Sequence, residues 1–478
     1  MCAALLGFAL LLPGLVNGYP LLFPDSIGYY HAGEAALREI GWKRVAVIGQ
    51  KTTAPAMPTL ADRANDTVST VRSVYYGIFF VIFYRFGGAW GLPVAQAAIV
   101  GFSLWLALRH LIAPQVLRAT TIIAALATLG GLGVFTVAAM PDVFTGLTIL
   151  GLALVLAADS MPRRERAYWL GIVLVACLFH KANLAIAVAI IIAYTAFLVV
   201  RRKRVGVVAW PVATLAAAIA AHAAVGVVVD QLLQKPAVEV SFLLSRAVGD
   251  GTVEPYLNAH CPASGLVLCR YVDRFPMSTD EFLWSADPRH GLLKLVSPAE
   301  RVAIAAEANT VVWGAIREHP LAQLRASLAN FGGQLVNVGA TQFGIGPISP
   351  PGATPGLSPL LVDYRDSRVA HRRMPLGAMS RLMALTYFAG ALILALLLWR
   401  RPGRARILTI AHGRVVALLV GGVIVNAAVC GVVAGNYDRY QGRVAWLIPF
   451  TTICVLSWWW QRRRPEARLI ADETQKCD

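Results

Sequence analysis

Acidic side chains are scarce in this sequence: Asp and Glu together number 26 in 478 residues, against 43 Lys and Arg. Charged residues of both signs reach only 14%, where soluble domains carry about 25%. The stretches 1–22, 119–158, 183–200, 207–229, 379–399 and 415–434 hold almost none, apart from isolated cases such as Asp142 and Arg381. That shortage excludes an ordinary soluble protein of this length. Catalytic and phosphate-binding signatures are missing too. The chain has no Walker motif, dinucleotide fingerprint, Gly-x-Ser-x-Gly elbow or His-Glu-x-x-His sequence. Energy from ATP or GTP bound within this chain is therefore not expected. Cysteine is sparse at seven, and only Cys261 and Cys269 fall in the long polar stretch of the sequence.

What is present is apolar, 57% of all residues. Runs of about 18 or more such residues match the roughly 20 helical residues needed to cross a bilayer. The expected fold class is all-α and polytopic, with about ten transmembrane helices and a mainly helical periplasmic domain. Spans are expected near residues 2–22, 91–111, 119–138, 142–158, 168–180, 183–200, 207–229, 379–399, 412–434 and 443–460. The first 20 residues lack a basic n-region and read as a retained span rather than a signal peptide. Residues 72–88 are aromatic and carry Arg72 and Arg85, so they read as an interfacial helix. Helices are expected near 32–40, 298–319 and 320–338, and an irregular Gly- and Pro-rich loop at 344–362.

The net charge of +17 is clustered at the ends of apolar runs, in Arg163, Arg164 and Arg166; Arg201, Arg202, Lys203 and Arg204; Arg400, Arg401, Arg404 and Arg406; and Arg462, Arg463 and Arg464. By the positive-inside rule these loops are cytoplasmic, and the placement argues against nucleic acid as a partner. Residues 230–376 hold 13 acidic and 13 basic residues, the neutral balance of a translocated segment. The organisation expected is a membrane module at 1–229 with a first outer loop at 23–89. A periplasmic domain at 230–376, further spans at 377–461 and a cytoplasmic tail at 462–478 complete it. In an oxidising compartment Cys261 and Cys269 would join as a disulfide. A zinc site is the competing reading, although two thiols with only His260 beside them make a poor ligand set.

Polar groups at the rim of a membrane protein are costly and point to function. Asp25, after Pro24 and beside Ser26, Tyr29 and Tyr30, can serve as a general base or bind a divalent cation; it can equally cap the following helix. Asp142, after Pro141, carries the same alternatives. Lys181, with His180 and Asn183, can neutralise a lipid-linked phosphate or snorkel to the interface. Arg72 can bind phosphate or anchor to headgroups. The knot Tyr437-Asp438-Arg439-Tyr440, with Arg443, suits a phosphate or sugar contact.

Taken in order, these features resemble the GT-C type integral-membrane glycosyltransferases, such as protein O-mannosyltransferases and bacterial transferases acting on lipid A. The resemblance covers roughly residues 1–205. It rests on Asp25 after the first span, then Arg72, Tyr75 and Tyr76 in a helix ending Phe86-Gly87-Gly88, then Pro141-Asp142, then Lys181. It departs at Ser26, where many members have a second acid. The resemblance implies an inverting transfer of sugar from a polyprenyl-phosphate donor to an envelope glycan, lipid or protein, on the periplasmic face of a bacterial inner membrane. It implies Asp25 as base, and Lys181, His180, Arg72, Arg439, Tyr29, Tyr30 and Tyr76 around the donor phosphate. A divalent cation, Mg2+ or Mn2+, would be held by Asp25 and Asp142. The competing expectation is a transporter or flippase for a lipid-linked or anionic solute. Transporters, however, place charged or broken helices near the midplane; the main polar residue there is Asn426, and a single asparagine reads as a helix-packing contact.

Overall fold

The computed structural model describes residues 2–42, 68–69, 72–157, 161–233, 237–238, 241–346, 360–399 and 409–461. The chain opens with α1 (Cys2–Asn17), α2 (Pro24–Glu39) and α3 (Val74–Ile112). It continues through α4 (Val116–Thr128), α5 (Leu132–Val137), α6 (Val143–Ala157), α7 (Arg163–Phe179), α8 (Lys181–Val200) and α9 (Ala209–Leu233). A polar domain follows, built from α10 (Phe242–Gly249), α11 (Val253–His260), α12 (Thr279–Trp284), α13 (Pro298–Glu318) and α14 (Pro320–Val336). The short α15 (Leu360–Tyr364) leads to α16 (Leu376–Trp399), α17 (Ile410–Val429), α18 (Asp438–Ala445) and α19 (Leu447–Gln461).

Two separate hydrophobic cores result. One joins α1–α9 to α15–α19, and the other lies wholly within the polar domain around Phe282, Val253, Leu268 and Val311. The long polar stretch therefore buries its own apolar set, as a folding unit must. Cys261 and Cys269 stand there at disulfide distance, while Cys177, Cys430 and Cys454 are buried and free.

Among the described residues five helices are long and apolar enough to cross a membrane, in α3, α8, α9, α16 and the α17 region to Ala434. This is fewer than the ten spans expected from apolar runs. The expected span at 119–138 is broken into α4 and α5 at Gly130 and Gly131, with Gly131 at φ +76°. The runs near 142–158 and 168–180 give helices of 15 and 17 residues. The run near 443–460 breaks at Trp446 into α18 and α19, and the first run stops at Asn17. Hydropathy cannot see these breaks. Every residue of α6 is buried in the bundle, and non-helical backbone is tolerated at such depth where protein surrounds it.

Residues 72–88, read from sequence as an interfacial helix, lead into and form the first part of α3, one of the helices long and apolar enough to cross a membrane. α3 carries non-helical geometry at Gly87 and Gly88, the latter at φ +58°, which separates its aromatic first part from the apolar remainder. That first part packs on α2, where Gly33 and Gly77 meet main chain to main chain. The helices expected near 32–40, 298–319 and 320–338 are α2, α13 and α14. Most of the expected loop at 344–362 lies outside the described residues. So do the arginine groups at 400–406 and 462–464 and the tail at 462–478.

Candidate functional site

The site begins with a backbone contact. The segment after α1 pairs with the segment after α5 through one parallel bridge, Leu21 with Ala138, and the Ala139 N–H donates to the Leu21 carbonyl at 2.9 Å. Gln96 of α3, fully buried, locks the same spot. Its amide donates to the carbonyls of Thr136 and Ala138 at 2.8 and 2.9 Å and accepts from the Tyr76 hydroxyl at 3.0 Å. Asp25 lies four residues beyond Leu21, and Asp142 four beyond Ala138. The bridge thus sets both carboxylates at one end of the bundle.

Asp25 sits in the first turn of α2, whose entry is closed by Ser26 Oγ accepting from the Phe23 N–H at 3.0 Å. Capping falls to Ser26, so the Asp25 side chain reaches outward instead and pairs with Arg72 through Oδ1. Among the described residues no donor engages its Oδ2. Both side chains remain about one-fifth exposed. Asp142 is different. It is buried, with Arg443 Nη1 at 3.4 Å from Oδ1 and Arg439 Nη1 at 3.5 Å from Oδ2. Arg443 reaches further, to Asn426 Oδ1 at 3.2 Å and Cys430 Sγ at 3.1 Å. Asn426 in turn donates to the Tyr440 carbonyl at 2.8 Å. Sequence reasoning gave Asn426 only a packing role, whereas it holds one of the site's arginines.

Arg439 is nine-tenths buried yet poorly satisfied. A guanidinium has five donors, and here one long bond goes to Asp142 while Nε is buried without a hydrogen-bond partner. Its plane lies over Phe23 at 4.1 Å, with Tyr440 at 5.3 Å. Burial works against its charge, but Asp142, Tyr440, Asp25 and Tyr29 together outweigh it and raise its pKa, so Arg439 stays cationic. His180 ends α7 and caps α8, its Nδ1 accepting from the Ala182 N–H at 3.1 Å. Tyr29 packs edge-on against Tyr76 at 5.0 Å.

Of the residues singled out by sequence, Asp25, Arg72, Tyr29, Tyr76, Asp142, His180, Arg439 and Arg443 come together. Tyr30 does not join them; it turns to Glu34 at 3.2 Å and packs edge-on against Phe80 and Tyr84. Lys181 opens α8 with an exposed side chain next to His180. Asn183 is fully buried and ties α8 to Thr145 and the Ala176 carbonyl. Gln96 and Trp284 escaped the sequence reading. A lone Gln in an apolar run and a Trp some 200 residues away carry no local signal.

The residues do not fit a divalent-cation centre. Among the described residues no three His, Cys, Asp or Glu side chains gather, and both candidate carboxylates face arginines, which would repel a second cation. The arrangement is instead an anion-accepting one, with three guanidinium groups against two carboxylates. Comparison of the chain with family models, curated proteins and solved structures finds no match.

Proposed function

We propose that this protein is a membrane glycosyltransferase of GT-C type that moves a sugar from a polyprenyl-phosphate donor to an envelope acceptor on the periplasmic face. One observation carries this reading: two carboxylates, one of them about one-fifth exposed, and three arginines, from four separate segments, meet at one end of an apolar helix bundle. Donor phosphate takes up the unused donors of Arg439 and draws Arg72 from Asp25, with Lys181 on the rim. Charge-assisted bonds of this kind are the strong ones. The freed Asp25 carboxylate removes the proton of an acceptor hydroxyl. That oxygen attacks the anomeric carbon from the face opposite the phosphate. The bond from anomeric carbon to phosphate oxygen breaks, and polyprenyl phosphate leaves with its charge held by Arg439 and Arg72. Configuration inverts.

Purified protein in nanodiscs, supplied with polyprenyl-phosphate hexoses and an envelope extract, tests this directly. Wild type is expected to release polyprenyl phosphate, and Asp25→Asn to lose at least the 10²-fold that a general base supplies, with an unchanged melting temperature. Near-normal turnover by Asp25→Asn would remove Asp25 as the base. Flux of a labelled lipid-linked solute without bond cleavage would favour the transporter instead.

A further inference from the structure

The polar domain meets the site through α14, whose Gln334 exchanges hydrogen bonds with the Tyr437 main chain, and through the short helix α12. Its sequence ends Phe282-Leu283-Trp284. Phe282 and Leu283 are buried in the domain's own core, at 0% and 4% exposure, whereas Trp284 is turned out and 42% exposed. The helix is tied to the membrane module at both ends. At its start Asp280 accepts from the Tyr437 hydroxyl, two residues from Arg439. Burial, then the Asp280 carboxylate, holds that phenol well above its usual range, so it keeps its proton to donate. At its end the Arg72 guanidinium, the group paired with Asp25, lies over the Trp284 ring at 5.8 Å from its centroid. Phe242 packs tilted against the indole at 6.4 Å and fixes its plane.

We infer that Trp284, with Arg72 and Asp25 beside it, forms the acceptor subsite, and that the acceptor is a carbohydrate. This inference rests on the transferase reading above. A pyranose ring has an apolar C–H face and an equatorial belt of hydroxyls. An indole offers a flat apolar surface, and its body is large enough to cover one ring. Once donor phosphate has drawn Arg72 away, the indole face it covers is open to such a ring, and the Asp25 carboxylate beside it accepts from hydroxyls in the belt. The same placement puts one hydroxyl next to the free Oδ2 of Asp25, where its proton must go. An amino-acid or lipid acceptor would use the hydroxyl but has no apolar ring face to lay on the indole.

The test is saturation-transfer NMR on the full chain in nanodiscs, with methyl glycosides of hexose and N-acetylhexosamine disaccharides as probes. At least one probe is expected to receive saturation on the ring protons of a single face. That signal is expected to fall at least tenfold in Trp284→Ala and to persist in Trp284→Phe and in Asp25→Asn. In turnover, Trp284→Ala is expected to raise the acceptor KM at least tenfold with kcat within about threefold. If no probe binds, or if binding survives Trp284→Ala, the carbohydrate subsite is overturned while the transferase stands on its own assay. If Trp284→Ala instead abolishes quenching of the polar domain by brominated lipid, the indole is a membrane anchor and the inference fails. Binding at Trp284 in a protein that cleaves no polyprenyl-phosphate sugar would overturn the transferase and leave the subsite.

Discussion

At the scale of the residue, Asp142 and Asp25 are the same side chain put to opposite uses by burial. Asp142 touches nothing but protein and holds Arg439 and Arg443 in place, so it acts as a positioning residue. Removing its charge leaves two buried guanidinium groups uncompensated, which costs about 3–5 kcal/mol. Asp142→Asn is therefore expected to lower the melting temperature in detergent strongly, whereas Asp25→Asn is not. Arg439 calls for a subtler substitution. Lys keeps the charge but loses the planar group between Phe23 and Tyr440. Arg439→Lys is expected to weaken donor binding at least tenfold, read as a raised donor KM, with the fold intact. An unchanged KM would take the phosphate away from Arg439. These residues were legible in the sequence because a charge inside an apolar run is conspicuous. Their pairing was not: Asp142 and Arg443 are 301 positions apart, and no local pattern links them.

At the scale of the element, glycine decides where the apolar runs become helices. Gly130-Gly131 splits one expected span, and Gly87-Gly88 divides α3 at the place its composition changes. The second break was readable because polar and aromatic residues precede it; the first lies among uniformly apolar neighbours and left only its glycines as a clue. Gly33 and Gly77 show a third use, the close crossing of α2 over α3. Gly33→Ala is expected to force the two main chains apart and to cost about 1–3 kcal/mol or more. Since α2 carries Asp25 and α3 follows Arg72, turnover should fall along with stability. In the polar domain, Glu300 accepts from Tyr271, Ser297 and Arg270, with Tyr271 the largest influence, and its pKa falls to about 2. A depressed carboxylate stabilises above its unfolded value of about 4.3 and ceases to do so as pH falls through 2. Wild type is thus expected to lose part of its stability between about pH 4.5 and 2, and Glu300→Gln to lack that component. Parallel curves for the two proteins would dismiss Glu300 as the source of that component.

At the scale of the whole molecule, two cores mean two units that can be perturbed separately. The pair Cys261–Cys269 closes a short loop within the polar domain alone. A loop that small contributes about 2–3 kcal/mol by restricting the unfolded chain. Reduction, or Cys261→Ser with Cys269→Ser, is expected to lower the unfolding temperature of the polar domain by hydrogen exchange and leave protection in α6 and α17 unchanged. Simultaneous loss in both would mean that the two cores unfold as one. The polar segment stands out in the sequence by its neutral charge and its paired cysteines. Its contacts with the site, through α12 and α14, carry no such mark, because Trp284 meets Arg72, and Gln334 meets Tyr437, only in three dimensions.

The bridge between Leu21 and Ala138 ties position to backbone rather than to side chains. The two loops that carry Asp25 and Asp142 are therefore counted off from a common mark, like two rulers sharing one zero. Such a device is intolerant of any change in the count. One residue inserted between Leu22 and Asp25, in a stretch that looks like an ordinary surface turn, would carry the proposed base away from Arg72 and silence the protein without unfolding it.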